Sequence, residues 1–364
     1  MRRFALLSLA LAASCSSGVS SAPAGTTPAP TTQQQTPPRQ WPVLTRKHVD
    51  LWLHGYAMLL RDTATVPVFR KGYRARLEAI RSQRGVKTML DVNRDRLQQR
   101  LSLSPAIFNG QFAPLYFSSF DQMRQIIGLF MQAEGNPGAT NDMALRQYFA
   151  VLAQSFPTAP DREWLRLFSE SLEDERRQFY ESYWTSENAS RIGFVQLTDS
   201  IWQREYRQKL QRYLNNTQQE NGDLVLSMVL GGEGRTVNFG SRQNAVAVTW
   251  PESDAHEAIY VFAHEVVGTI VATAVNDNTT PTEQRAGTSA KFVTLGQVRA
   301  GEMLLERVAR ELSPGFMRYY LAQAGQPTSG DLATLTARFN ATFPIPDVIR
   351  DAVQRQLDVV LGGI

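Results

Sequence analysis

The chain has a single cysteine in 364 residues, Cys15. A lone thiol excludes an internal disulfide framework, a cysteine-rich zinc knuckle and an iron–sulfur centre. Histidine is scarce too, with His48, His54, His256 and His264 the only four. No run of eighteen apolar residues occurs, so no spanning helix is expected. There is no G-x-S-x-G elbow, no Walker glycine loop and no dinucleotide fingerprint. No repeat of fixed period argues for a solenoid. An excess of one charge is also missing: Lys+Arg number 38 against 34 Asp+Glu, interspersed, for a formal net charge of +4. That balance leaves no basic patch to expect and excludes nucleic acid as a partner. What is present is a globular composition, 43% hydrophobic and 20% charged, enough for a sizeable core.

The amino terminus is organised differently from the rest. Arg2 and Arg3 precede an apolar stretch of ten residues, Phe4 to Ala13, too short to span a bilayer. It runs through Ala12-Ala13-Ser14 into Cys15. This arrangement resembles a bacterial lipoprotein signal, with Ala12 where Leu is more usual. The resemblance implies cleavage after residue 14, a diacylglycerol on the Cys15 thiol, and export to an envelope membrane facing the periplasm or cell exterior. Residues 15–40 are mostly Ser, Thr, Pro, Gly and Gln. They contain little that could be buried, so a flexible tether is expected there. Trp41 is the first large apolar residue after it, and folding is expected to start about there.

Residues 41–364 read as one predominantly helical α+β domain. From Trp41 to about residue 220 the apolar spacing is helical, with helices expected at 44–62, 66–85, 88–102, 117–133, 142–155, 161–183 and 191–215. In the helix at 161–183, Glu170, Glu173, Asp174 and Glu175 are expected on a solvated face. Residues 221–364 change texture. Asp223 to Leu230, Arg235 to Phe239 and Asn244 to Trp250 are short apolar runs separated by glycine-rich turns. They predict a small three-stranded, mostly antiparallel meander, with Gly231-Gly232-Glu233-Gly234 as a hairpin turn. A long helix capped by Ser253 or Asp254 follows to about Val275, and helices at 290–312, 314–324, 330–340 and 346–361 complete the chain.

That long helix carries Ala263-His264-Glu265-Val-Val-Gly268, and 37 residues after Glu265 comes Gly301-Glu302 on another expected helix. Strands, then a His-Glu helix, then a later glutamate resemble the zincin metallopeptidases, the gluzincin arrangement in particular. In that family the small sheet packs on a helix bearing H-E-x-x-H, and the later glutamate supplies a third zinc ligand. The resemblance covers roughly residues 223–310.

Two imidazoles at i and i+4 share one helix face and can bind one zinc, while the intervening Glu takes a proton from bound water. By resemblance, His264 and Glu302 are metal ligands and Glu265 the general base. The second histidine is replaced by Gly268, which has no side chain to donate. His54 on the first helix is the remaining candidate ligand, with Asp50 one turn before it to orient the ring. An intact site implies zinc-dependent hydrolysis of a peptide or amide bond outside the cytoplasm. The alternative is a non-catalytic envelope lipoprotein that keeps the scaffold and binds a protein, peptide or cell-wall polymer. If instead the His-Glu pair is accidental, the Glu302 helix need not touch the His264 helix. Tyr319 and Tyr320 are expected as a core pair.

Overall fold

Leu224 to Leu230 contains one polar residue, Ser227, so a strand made from it is apolar on both faces and has to be covered on both. The computed structural model describes residues 40–60, 64–239 and 243–362, and it covers this strand in that way. Four strands, β1 (Val43–Thr45), β2 (Asn221–Ser227), β3 (Arg235–Asn238) and β4 (Gln243–Thr249), form one sheet in the order β1-β2-β4-β3. Strand β2 lies parallel to both β1 and β4, and only β3 runs antiparallel, at the edge beside β4. The expected antiparallel meander is therefore corrected to a mixed sheet. Strands buried on both faces lose the in/out alternation of a half-exposed hairpin, and parallel pairing is their usual arrangement. The signal peptide, the Cys15 lipid and the tether up to residue 39 lie outside the described residues.

Leu224, Leu226, Val246 and Val248 point into one core, and Val225, Val237, Ala245 and Ala247 into another on the opposite face. The second core is closed by α1 (Lys47–Leu59), α2 (Tyr73–Gln83), α3 (Arg94–Leu103), α4 (Phe120–Gln132), α5 (Met143–Ser155) and α6 (Ala159–Glu175). A π-turn at Arg176–Tyr180 joins α6 to α7 (Glu181–Ile201), and another at Trp202–Tyr206 joins α7 to α8 (Arg207–Asn216). What the periodicity divides into two helices is thus one continuous rod from Ala159 to Asn216. Each π-turn adds a residue to the turn and brings aromatic side chains inward, Phe179 and Tyr180 in the first, Trp202 and Tyr206 in the second. Glu175, expected at the surface, is fully buried at the first of these turns, and Glu173 is buried as well.

The first core is completed by α9 (Glu257–Val266), α10 (Gly268–Asp277), α11 (Thr288–Val308), α12 (Ser313–Gln323), α13 (Leu332–Thr342) and α14 (Asp347–Leu361). The single helix expected to Val275 is broken at Val267 and bent by 40°. It also starts later than its expected cap: Asp254 Oδ1 accepts from the His256 N–H at 3.0 Å, and the helix begins at Glu257. No single helix among the described residues is long and apolar enough to cross a membrane; the bent pair α9–α10 is so in length and composition alone, and α9 is buried along its length. With seven-tenths of the described residues helical around one small mixed sheet, the architecture is α+β and predominantly helical.

Gly231-Gly232-Glu233-Gly234 is not a hairpin turn. Since β3 lies beyond β4, the segment after β2 has to cross the sheet's end. It passes under Pro67 and Val68, whose carbonyls accept from the Gly232 and Gly231 N–H groups at 3.0 and 2.7 Å. A Cβ at Gly234 would fall 2.0 Å from the Ala247 carbonyl oxygen, so only glycine fits there. The two sheet edges differ. Along β1, the Val43 N–H donates to Asp199 on α7 at 3.4 Å. Along β3, Arg235, Thr236 and Asn238 border an open cleft.

Candidate functional site

The cleft, of about 570 Å³, lies between β3 and the junction of α9 with α10, with α11 on its far side. Glu265, Gly268 and Thr269 line its floor, Arg235, Thr236, Asn238 and Asn244 one wall, and Gln297 the other. Glu265 Oε1 accepts two hydrogen bonds at 2.9 Å, from the Gly234 N–H and from His264 Nδ1. Burial alone would push this carboxyl's pKa up, but the His264 ring, the Arg235 guanidinium and the Gly234 N–H hold it below the usual range. Glu265 is therefore a carboxylate at neutral pH and lines the cleft.

His264 is placed differently from a cleft ligand. Its ring is buried and stacks on Tyr320, centroids 5.4 Å apart. Nδ1 faces Glu265, and Nε2 on the far side of the ring is buried and without a hydrogen-bond partner. Tyr319 and Tyr320 donate to the carbonyls of Gly231 and Gly232 at 3.0 and 2.9 Å. They pin the crossover segment that positions Gly234.

Helix α11 does pack against α9. A Cβ on Gly301 would lie 3.2 Å from the His264 Cα, so glycine allows the close approach. One turn earlier on the same face of α11 stands Gln297, whose Nε2 would be 3.1 Å from a Cβ on Gly268. Glu302 is one position further round and turns away, accepting from Ser313 Oγ at 2.8 Å. Burial raises its pKa. The residue of α11 that faces the vacant 268 position is thus Gln297. The i, i+4 relation between Gln297 and Gly301 was the signal available for it.

His54 is held in the other core. Its Nε2 lies 3.1 Å from Glu175 Oε1 and its Nδ1 3.1 Å from the Tyr73 hydroxyl. Arg81 Nη2 donates to Glu175 Oε2 at 3.2 Å and also bonds Asp91. Asp50 does not orient His54 as expected; it accepts from Trp184 Nε1 at 2.8 Å. His256 contacts Asp254 at 2.6 Å, and His48 hydrogen-bonds the Phe117 carbonyl at 2.9 Å. The structure therefore does not bring His264, Glu302 and His54 together. Among the described residues no three His, Cys, Asp or Glu side chains converge as a metal site.

A tetrahedral zinc needs three protein donors of imidazole, thiolate or carboxylate type. Around the cleft, one such position is glycine, its neighbour is a neutral amide, and the imidazole is engaged through Nδ1 with Glu265. This donor set does not fit the zinc that the gluzincin resemblance implies. It fits recognition of polar groups instead. Gln219, on the cleft wall, is 8% exposed and its Oε1 has no partner, and Thr236 Oγ1 is likewise buried and unpaired. Comparison with protein-family models, curated proteins and solved structures finds no match for this chain.

Proposed function

We propose that this chain is an exported, lipid-anchored envelope protein whose zincin-like cleft captures an extended peptide and does not hydrolyse it. The observation that carries this is the pairing of Gly268 with Gln297, an absent ligand facing a neutral amide. Two further features support a peptide as the occupant. The cleft runs along β3, an edge strand whose backbone can pair with an added strand. Beside it lie the Gln219 Oε1 and the Thr236 hydroxyl, both buried and without partners, and one cation, Arg235, polar groups of the kind that pair with peptide N–H groups and carbonyls. Glu265 then serves as the anchor that fixes Gly234, and so β3, at the cleft's edge.

One observation favours the hydrolytic alternative. The unpaired Nε2 of His264 is a nitrogen that could take a metal if the ring turned toward the cleft. Elemental analysis of the purified chain after incubation with zinc, beside His264→Ala, separates the two. Capture without hydrolysis predicts no stoichiometric zinc in either protein, no cleavage of unstructured peptides, and peptide binding weakened by Arg235→Glu. Close to one zinc per chain, lost in His264→Ala and accompanied by cleavage, would overturn it.

A further inference from the structure

Helix α7 is the least buried part of the long rod, with only Tyr183 and Thr198 buried along its 21 residues. Every exposed residue from Ser182 to Ser200 is uncharged, and two are large and apolar: Ile192 at 46% exposure and Leu197 at 50%. From the second π-turn onward the exposed face carries the cations Arg204, Lys209 and Arg212. Lys209 is neutralised by Glu205 and Glu311. Among the described residues Arg204 and Arg212 pair with no carboxylate. Gly193, Leu197 and Ser200 follow at steps of four and three and so share one side of α7, while Ile192, five residues before Leu197, lies about 140° round from it at the margin of the exposed arc.

The described chain begins on this same rod. The Gln40 carbonyl accepts from Gln203 Nε2 at 3.1 Å, and the Gln40 side chain accepts from Arg207 at 2.9 Å. We propose that the α7–α8 face docks on an anionic bilayer surface, Leu197 at the interface and Arg204 and Arg212 against headgroups. This docking rests on the lipid anchor proposed above. Under it, the 25 residues 16–40 separate the anchored Cys15 from Trp41. A tether of the kind their composition predicts would, at that length, reach about 25–30 Å. Tethering of that kind gives a millimolar effective concentration, so a face of only millimolar intrinsic affinity is about half docked. Uncharged contact plus unpaired cations is the chemistry an interfacial helix uses. A protein partner would leave Arg204 and Arg212 unexplained unless it were acidic.

The test uses the full lipidated chain in vesicles of phosphatidylethanolamine with about 30% phosphatidylglycerol. A thiol introduced by Leu197→Cys carries an environment-sensitive fluorophore, with Leu103→Cys on α3 as the exposed control. Docking predicts a severalfold rise and blue shift at 197 and no change at 103. Arg204→Gln with Arg212→Gln should weaken docking roughly 25-fold, about fivefold per cation, and about 0.5 M salt should do much the same. Circular dichroism checks that the variants fold. If the chain floats with vesicles and the two labels behave alike, docking is overturned while the anchor stands. If the chain does not float, the anchor fails and docking with it. A response in native envelopes but not in vesicles would assign the face to a protein, overturning the bilayer.

Discussion

Gly301 sits directly against the His264 backbone: a Cβ there would come within 3.2 Å of the His264 Cα and 2.9 Å of Phe316 Cζ. Helices α9 and α11 meet at this point, and the His264–Glu265 pair is held in place because they do. Gly301→Val should therefore wedge the helices apart and cost about 1–3 kcal/mol, read as a lower midpoint in urea. An unchanged midpoint would mean the contact is not limiting.

Gly268 should behave in the opposite way. Its Cβ would meet only the flexible end of Gln297, at 3.1 Å, and at the first position of α10 alanine gains at most about 1 kcal/mol over glycine. Gly268→Ala is expected to raise the melting temperature slightly or leave it unchanged. A loss above 1 kcal/mol would show that the floor of the cleft is tighter than its open lining suggests.

Asp50 is wholly buried, and burial pushes its acid up to about 6 against the pull of its neighbouring donors. A raised carboxyl binds its proton more tightly in the folded than in the unfolded chain. Its ionisation therefore costs stability as pH rises from about 4 through 6, and the cost is fully present above that. Asp50→Asn should remove this pH dependence and stabilise the protein at pH 7 by about 2–3 kcal/mol. Chemical denaturation at pH 4.5 and 7.5 measures it; a difference unaltered in the variant would refute the assignment.

Glu175 runs the other way. Burial opposes its charge, but His54, Arg81 and Thr88 outweigh that and hold its pKa below the usual value. Its contribution is present above the unfolded carboxylate pKa and is lost as pH falls through the lower folded value. Glu175→Ala should cost about 3–5 kcal/mol at pH 7, because Arg81 is left with one buried partner fewer. Pairing it with Arg81→Met should recover part of that loss. No recovery would mean that the His54 and Thr88 bonds, not the ion pair, carry the effect.

Helix positions were largely legible in the chain because their stripes are wide and regular: α5, α11, α12, α13 and α14 all lie within a few residues of expectation. The π-turns were not, since one inserted residue shifts a stripe without breaking it. Glu175 looked solvated for the same reason: its helical neighbours are charged, and its partners Arg81, Thr88 and His54 arrive from segments 94, 87 and 121 residues away. At the candidate site, Glu265 at the cleft and the contact between the His264 and Glu302 helices were readable from motif and spacing. Gln297 carries less obvious ligand chemistry than Glu302, and only the rotation of α11 about Gly301 decides which of them faces Gly268.

Local pattern by itself determined the helical class, the position of most helices and the unlikeness of the first forty residues to the rest. Those properties depend on burial periodicity and composition, which are carried within a dozen residues. Strand order and direction, the burial of Asp50, His54 and Glu175, and the facing of Gly268 by an amide were decided by the tertiary structure. Each is a meeting of segments distant in sequence, and the energy that settles it belongs to the pair and to the water they exclude, not to either residue alone.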